Sequence, residues 1–173
     1  KTLYTYQFTH PGKKLLFMGQ DFAQDREWTV FESIDWHLAD EFGHRDIMLN
    51  IQRLLAIYKK YPVLYADSKD PSTFEWINRT DSWANTISYI RRNPWNYDGA
   101  LLVVCNFSPM EHHEYCVGVP VKGGYRRIYS TYDTLPGMGG PAELGEAPVV
   151  KAKKQESDGR PWRINYSLRP FEA

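Results

Sequence analysis

Apolar residues fall into three rhythms along the chain, and each predicts a different element. Leu15, Leu16, Phe17 and Met18 form a short unbroken apolar run closed by Gly19. A continuous run of that length fits a strand buried on both faces, the habit of a parallel sheet. Over residues 44–61 the rhythm is helical: Ile47, Ile51, Leu54, Leu55 and Tyr58 share one stripe, and Pro62 ends it. Between the two, residues 20–43 mix acidic side chains with Trp28, Phe31 and Trp36 and hold no sustained period. Irregular segments of that length usually carry function in a compact domain. Strand, long loop and helix make one βα unit, with the loop at the C-terminal edge of the strand. Upstream, Tyr4, Tyr6 and Phe8 settle no period, and His10-Pro11-Gly12 closes whatever precedes it.

After Ala66 β-branched and aromatic runs alternate with Gly, Pro, Asn and Asp punctuation, the pattern of an antiparallel sheet domain. Strands are predicted over 74–78, 86–91, 100–107, 114–119, 125–132, 149–153 and 163–168, each short enough for a sandwich. Residues 133–147, with Gly137, Gly139, Gly140 and Gly145, read as a long flexible loop. No Gly-Lys-Ser/Thr follows to make it a phosphate cradle. The expected fold is mainly β, with a strand–loop–helix unit over residues 1–66 and an all-β sandwich over 67–173.

Composition narrows the partners. The chain is 42% hydrophobic and 15% aromatic, too apolar for disorder, so it folds. Lys plus Arg equals Asp plus Glu at 21 each, so no field recruits nucleic acid or an anionic membrane, and a neutral partner is expected. No apolar run approaches the roughly 20 residues of a membrane span and no signal peptide opens the chain, from which a cytoplasmic location is expected. A start at Lys1, without an initiator Met, reads as the middle of something longer. Cys105 and Cys116 lie in apolar strand-like runs and are read as reduced core residues; a disulfide across adjacent strands is the alternative. The five histidines show neither the i, i+4 helical pairing nor the neighbouring ligands of a zinc site, so no metal and no cofactor is expected.

Several strings resemble the branching-enzyme branch of the α-amylase superfamily. The sequence from His10-Pro11-Gly12 through Leu15-Leu16-Phe17-Met18-Gly19-Gln20 is similar to the family's eighth barrel strand and its lead-in. Glu-Phe and Gly-Gln usually follow there, whereas Asp21-Phe22 and Ala23-Gln24 stand here. Arg26-Glu27-Trp28, Ile34-Asp35-Trp36-His37, Phe74-Glu75-Trp76-Ile77 and the run Leu102-Val103-Val104-Cys105-Asn106-Phe107-Ser108-Pro109 complete the set in family order. The resemblance implies the last strand, loop and helix of a (β/α)8 barrel followed by a C-terminal antiparallel β-sandwich. It also implies retaining glucan transfer by an Asp nucleophile, a Glu acid/base and a stabilising Asp. The motifs that carry those three belong after earlier strands and do not occur here, so no catalytic residue is assigned. The implied partners are an α-glucan, glycogen or starch-like, and the remainder of the parent barrel.

Within that frame Gln20, Asp21 and Phe22, just after the strand, are candidates for touching glucan, with Trp28 and Trp36 in the same segment. An indole offers a flat apolar face to a sugar's C–H face while its N–H stays free to donate. Trp95 and Tyr97, in a Pro-Asn-Gly loop, are a second candidate pair, whereas Trp76 and Trp162 sit in strand-like runs and read as core. Asp21, Asp25, Glu27 and Asp35 read as supporting carboxylates. Two functions stay open: the terminal part of a branching enzyme that completes and stabilises its barrel, or a non-catalytic glucan-binding sandwich module. On the first, the 15–18 strand has lost its neighbours, and each exposed large side chain forfeits about 1.5–3 kcal/mol. Residues before 44 are then expected to pair with another copy, to fold back on the helix and sandwich, or to be poorly protected from exchange.

Overall fold

Six residues, Thr86–Arg91, set the layering, because this strand is covered on both faces. The computed structural model describes residues 1–66, 69–133 and 149–173. Strand β2 (Thr86–Arg91) pairs antiparallel with β1 (Phe74–Asp81) on one side and β3 (Leu101–Asn106) on the other. Side chains alternate across a strand, so β2 sends Ile90 to one face and Tyr89 and Arg91 to the other. Ile90 joins Ile77, Val117, Val119 and Ile164 in the first core cluster, with Leu102 and Val104 packed against it. Tyr89 joins Val103 and Cys105 in a second, against Tyr6, Phe74 and Trp76.

The first cluster is the inside of a sandwich. Its far wall is β4 (His112–Val119) paired antiparallel with β7 (Trp162–Leu168), Val117 opposite Ile164. Two further strands, β5 (Gly124–Arg126) and β6 (Val149–Lys151), form a short antiparallel pair beside them. Gly118 on β4 has a packing reason to be glycine: a Cβ there would meet the Ser157 carbonyl oxygen at 2.1 Å. Trp76 and Trp162 are half-buried against the two clusters.

The second cluster is roofed by helices. Helix α1 (Thr2–Thr9) lays Phe8 against Ile51 and Leu54 of α2 (Phe42–Lys60), with Tyr4, Leu16, Ile47, Tyr58 and Tyr129 around them. The predicted stripe of α2 is therefore only partly used: Ile51 and Leu54 are buried, Ile47 and Tyr58 half-buried, and Leu55 is exposed. The roof is bolted down by polar groups. Thr9 Oγ1 is hydrogen-bonded to the Tyr89 hydroxyl at 2.6 Å. Tyr129 donates to Asn50 Oδ1 at 2.5 Å. Arg53 reaches the Asp133 carbonyl at 2.6 Å and its carboxylate at 3.2 Å. Arg91, fully buried, donates through one terminal nitrogen to the carbonyls of Thr9 at 2.9 Å and Leu64 at 3.3 Å. Both carbonyls lie at or next to helical C-termini, where a cation is favoured.

Two expectations are corrected and one open reading is settled. Residues 15–18 form no strand: no described segment offers them a ladder, and an isolated strand cannot satisfy its own backbone. They fold back over α2 instead, Leu16 inward, with Leu15, Phe17 and Met18 exposed. Residues 2–9, without a readable period, are helical. Residues 127–131 do not extend β5, because Ser130 N donates to Asp133 Oδ2 and Thr131 N to the Ala173 carbonyl. The expected loop over 133–147 falls, apart from Asp133, outside the described residues, as do residues 67 and 68 at the expected boundary. Both cysteines are free, on strands of different sheets, and burial pushes the Cys105 thiol up to about 12.

Arg91 is the test of how the roof is held. Arg91→Ala empties a large side-chain volume and strips a donor from two carbonyls, an expected loss of about 2–4 kcal/mol in urea unfolding. Arg91→Met keeps most of the volume and removes an unpaired buried charge, so its midpoint is expected between alanine and wild type. A methionine variant as unstable as alanine would mean that the two hydrogen bonds, not packing, hold the roof.

Candidate functional site

The segment after residues 15–18 is built around one residue that the strings did not single out for this role. Gly19 takes a positive φ of 84° and starts a 3₁₀ turn over Gln20–Phe22. Gln24 closes it: its N–H donates to the Gly19 carbonyl at 3.0 Å, and a Cβ on residue 19 would meet Gln24 Cβ at 2.9 Å. The Gln24 amide then reaches forward, accepting from Asp35 N at 2.7 Å and donating to the Arg26 carbonyl at 3.0 Å.

Arg26 is the second organiser. It grips Asp35 with two parallel bonds, Nε to Oδ2 at 2.6 Å and a terminal nitrogen to Oδ1 at 2.8 Å, and also reaches Glu32. Such bidentate pairing fixes orientation as well as distance. The bonds from Arg26 hold the Asp35 carboxyl below the ordinary aspartate range. Asp35 is thereby committed to holding the loop, in line with its reading as a supporting carboxylate. Asp25 is exposed and stands 3.7 Å from His44, whose Nδ1 donates to the Phe22 carbonyl at 2.9 Å.

The candidate residues occupy different depths on this frame. Phe22 is fully buried and lies against Trp36, ring centroids 5.7 Å apart, while Trp36 itself is 60% exposed. Trp28 is 37% exposed and meets Phe17 edge-on at 5.1 Å. Gln20 turns back on its own loop, accepting from Phe17 N at 3.0 Å, and its carbonyl takes the Tyr4 hydroxyl at 2.6 Å. Asp21 borders a cavity of about 420 Å³ with Phe17, Met18, Met48 and Leu55. One continuous segment, wrapped on α2, thus carries Gln20, Asp21, Phe22, Trp28 and Trp36.

Trp95 and Tyr97 lie on the β2–β3 loop instead, and they differ from each other. Trp95 is 91% exposed. Tyr97 is half-buried: its hydroxyl donates to Glu75 at 2.9 Å and the Arg92 guanidinium sits 5.2 Å over its ring. A larger cavity of about 780 Å³ opens beside β3 and residues 120–129. Core side chains such as Leu102, Val104, Ile164 and Leu168 line it, apolar where a glucan needs hydroxyl partners. Among the described residues no group of three or more His, Cys, Asp or Glu side chains is placed to hold a metal ion, and no helix is long and apolar enough to cross a membrane.

The Arg26–Asp35 clamp makes a prediction. Arg26→Gln is expected to speed amide exchange across residues 24–36 while leaving β2 and β3 protected; Arg26→Lys does not restore the fork and gives the same loosening. Because Asp35's carboxyl is depressed in the fold, the clamp is intact above its unfolded value near 4 and fails as pH falls through the depressed one. Unchanged exchange in Arg26→Gln would show that Gln24 alone suffices.

Comparison with known proteins places this arrangement. Residues 76–173 match the alpha amylase, C-terminal all-beta domain family. Over almost its whole length the chain is similar to proteins named 1,4-alpha-glucan branching enzyme GlgB. Identity is 40% over 170 residues with that of Butyrivibrio fibrisolvens, covering 98% of this chain and 26% of that protein. With Geobacillus stearothermophilus it is 39% over 171 residues, 99% of this chain and 26% of the relative. With Synechococcus elongatus it is 41% over 171 residues, 99% and 22%. The chain spans about a quarter of the length of the curated relatives it matches. With antiparallel sheets throughout its described β-domain and the match over residues 76–173, the chain belongs to the family of alpha-amylase C-terminal all-β domains.

Proposed function

We propose that this chain is the C-terminal portion of a 1,4-α-glucan branching enzyme acting in the cytoplasm. Its task is to complete and stabilise the catalytic barrel, while chain transfer is performed by carboxylates elsewhere in the parent. The observation that carries this reading is the similarity over nearly all of the chain to only about a quarter of each branching enzyme. The apolar surface around α2 supports it. Leu15, Phe17, Met18 and Leu55 are exposed along the segment and helix that resemble the last barrel unit. Such a cluster gains by being covered. Glucan contact then falls to Trp36 and Trp28, with Gln20 and Asp21 beside them. Phe22 acts from below by bracing Trp36. Residues 1–66 are the barrel's last unit and 67–173 the sandwich that props it.

The second reading, a glucan-binding module, is favoured by exposed indoles on the β-domain, and the two functions can coexist in one chain. Barrel completion is tested by complementation. The chain alone, incubated with amylose, is expected to form no α-1,6 linkages; mixed or co-expressed with the remaining part of the parent, it is expected to restore them. Linkages formed by the chain alone, with contamination excluded, would sink the proposal.

In the complemented enzyme Trp36→Ala is expected to raise KM for amylose about tenfold with a smaller change in kcat, the signature of lost substrate binding. A fall in kcat with KM unchanged would instead remove Trp36 from the binding surface.

A further inference from the structure

Trp83 lies outside the core clusters. It stands in the four-residue turn, residues 82–85, that joins Asp81 of β1 to its partner Thr86 of β2, and it is 91% exposed. Turns select Gly, Asn, Asp, Ser and Pro, each for a backbone reason that tryptophan does not share. The rest of the turn is held hard. Ala84 is buried and its N–H donates to Asp81 Oδ1 at 3.1 Å. Asn85, with φ of 52°, exchanges bonds with Phe107: its side-chain amide donates to the Phe107 carbonyl at 3.0 Å and its carbonyl accepts from Phe107 N at 2.9 Å. His112 donates through Nε2 to the Ala84 carbonyl at 3.0 Å.

Those bonds line up three rings. The Trp83 and His112 centroids are 6.4 Å apart, and those of His112 and Tyr115 are 5.9 Å apart. Tyr115 is fixed in turn, its hydroxyl donating to Asp81 Oδ2 at 2.6 Å and sharing a hydrogen bond with Thr86. Because a carbonyl can only accept, His112 carries a proton on Nε2. The turn that carries the indole is otherwise polar at its surface: Ser82 and Asn85 are exposed.

We propose that Trp83, with His112 and the polar rim of the β1–β2 turn, is a surface site for an α-1,4-glucan chain. It is separate from the segment that carries Trp28 and Trp36, and the proposal rests on the glucan reading given above. A pyranose has an apolar C–H face ringed by hydroxyls, and the turn offers a flat exposed indole with polar Ser82 and Asn85 beside it in the chain. A protein partner fits less well, since such interfaces build on contiguous apolar area at their core. A turn already rigid loses little freedom when it binds, so a single stacking residue suffices to hold a chain weakly.

The test is affinity electrophoresis of the full chain in gels containing glycogen, with maltoheptaose titration by tryptophan fluorescence. The wild-type chain is expected to be slowed, Trp83→Ala to lose about tenfold in affinity, and Trp83→Phe to keep part of it. Thermal melting of Trp83→Ala should match wild type, because the side chain is 91% exposed. Four results would overturn the site: an unretarded wild-type chain, equal binding by Trp83→Ala, loss on Trp95→Ala alone, or equal retardation by a β-1,3-glucan gel. A parent enzyme destabilised by Trp83→Ala with glucan binding intact would assign the indole to a contact within the parent and also overturn it. Complementation reports on the branching-enzyme reading independently, so failure of one is visible without failure of the other.

Discussion

The structure depends on a strand that is central in two directions. Thr86–Arg91 lies between β1 and β3 within its sheet, and between the sandwich interior and the helical roof across it. A strand with one solvated face needs only one set of apolar side chains; β2 needs two, and at its end it carries a charge inside the protein. Among the described residues Arg91 meets no carboxylate, and burial pushes its pKa down. Its hydrogen bonds to the Thr9 and Leu64 carbonyls join the end of α1, the turn after α2 and the sheet in one buried junction. A long guanidinium spans that junction where a shorter donor would reach only one acceptor.

The junction matters because apolar contact alone does not account for how the roof is placed. Phe8, Ile51 and Leu54 make a small cluster, and much of what surrounds it is polar. Tyr89 with Thr9, Tyr129 with Asn50, and Arg53 with Asp133 are directional contacts, which specify one seating of the helices rather than a range of them. Asp133 also receives Arg127, so one carboxylate ties α2 to the β-domain through two arginines. Helices held in this way keep their geometry while their outer side, along Leu15, Phe17, Met18 and Leu55, stays exposed.

The same economy separates the exposed aromatic surfaces. Trp28 and Trp36 ride on a loop braced by Gln24, Arg26 and Asp35 and backed by buried Phe22. Trp83 and Trp95 stand on turns at opposite ends of β2, each turn held by its own backbone and side-chain bonds.

Much of this was written in the sequence. The runs Thr-Ile-Ser-Tyr-Ile-Arg and Leu-Leu-Val-Val-Cys-Asn, rich in β-branched and aromatic side chains and bounded by turn residues, mark β2 and β3 as strands, since such side chains favour an extended backbone. The stripe of α2 was legible from its helical period, and exposure of Trp95 from its Asn-Pro and Asp-Gly neighbours. What the sequence could not hold is partnership. An apolar run such as residues 15–18 becomes a strand only if neighbours supply a ladder, and here they do not. Residues 127–131 carry a strand's side chains but give their N–H groups to Asp133 and Ala173. The burial of Phe22 beneath Trp36, the grip of Arg26 on Asp35 and the reach of Arg91 to Thr9 and Leu64 arise between residues distant in sequence. Local pattern decides which elements form, but only the folded chain brings distant donors and acceptors within hydrogen-bonding range and so decides what each candidate residue touches.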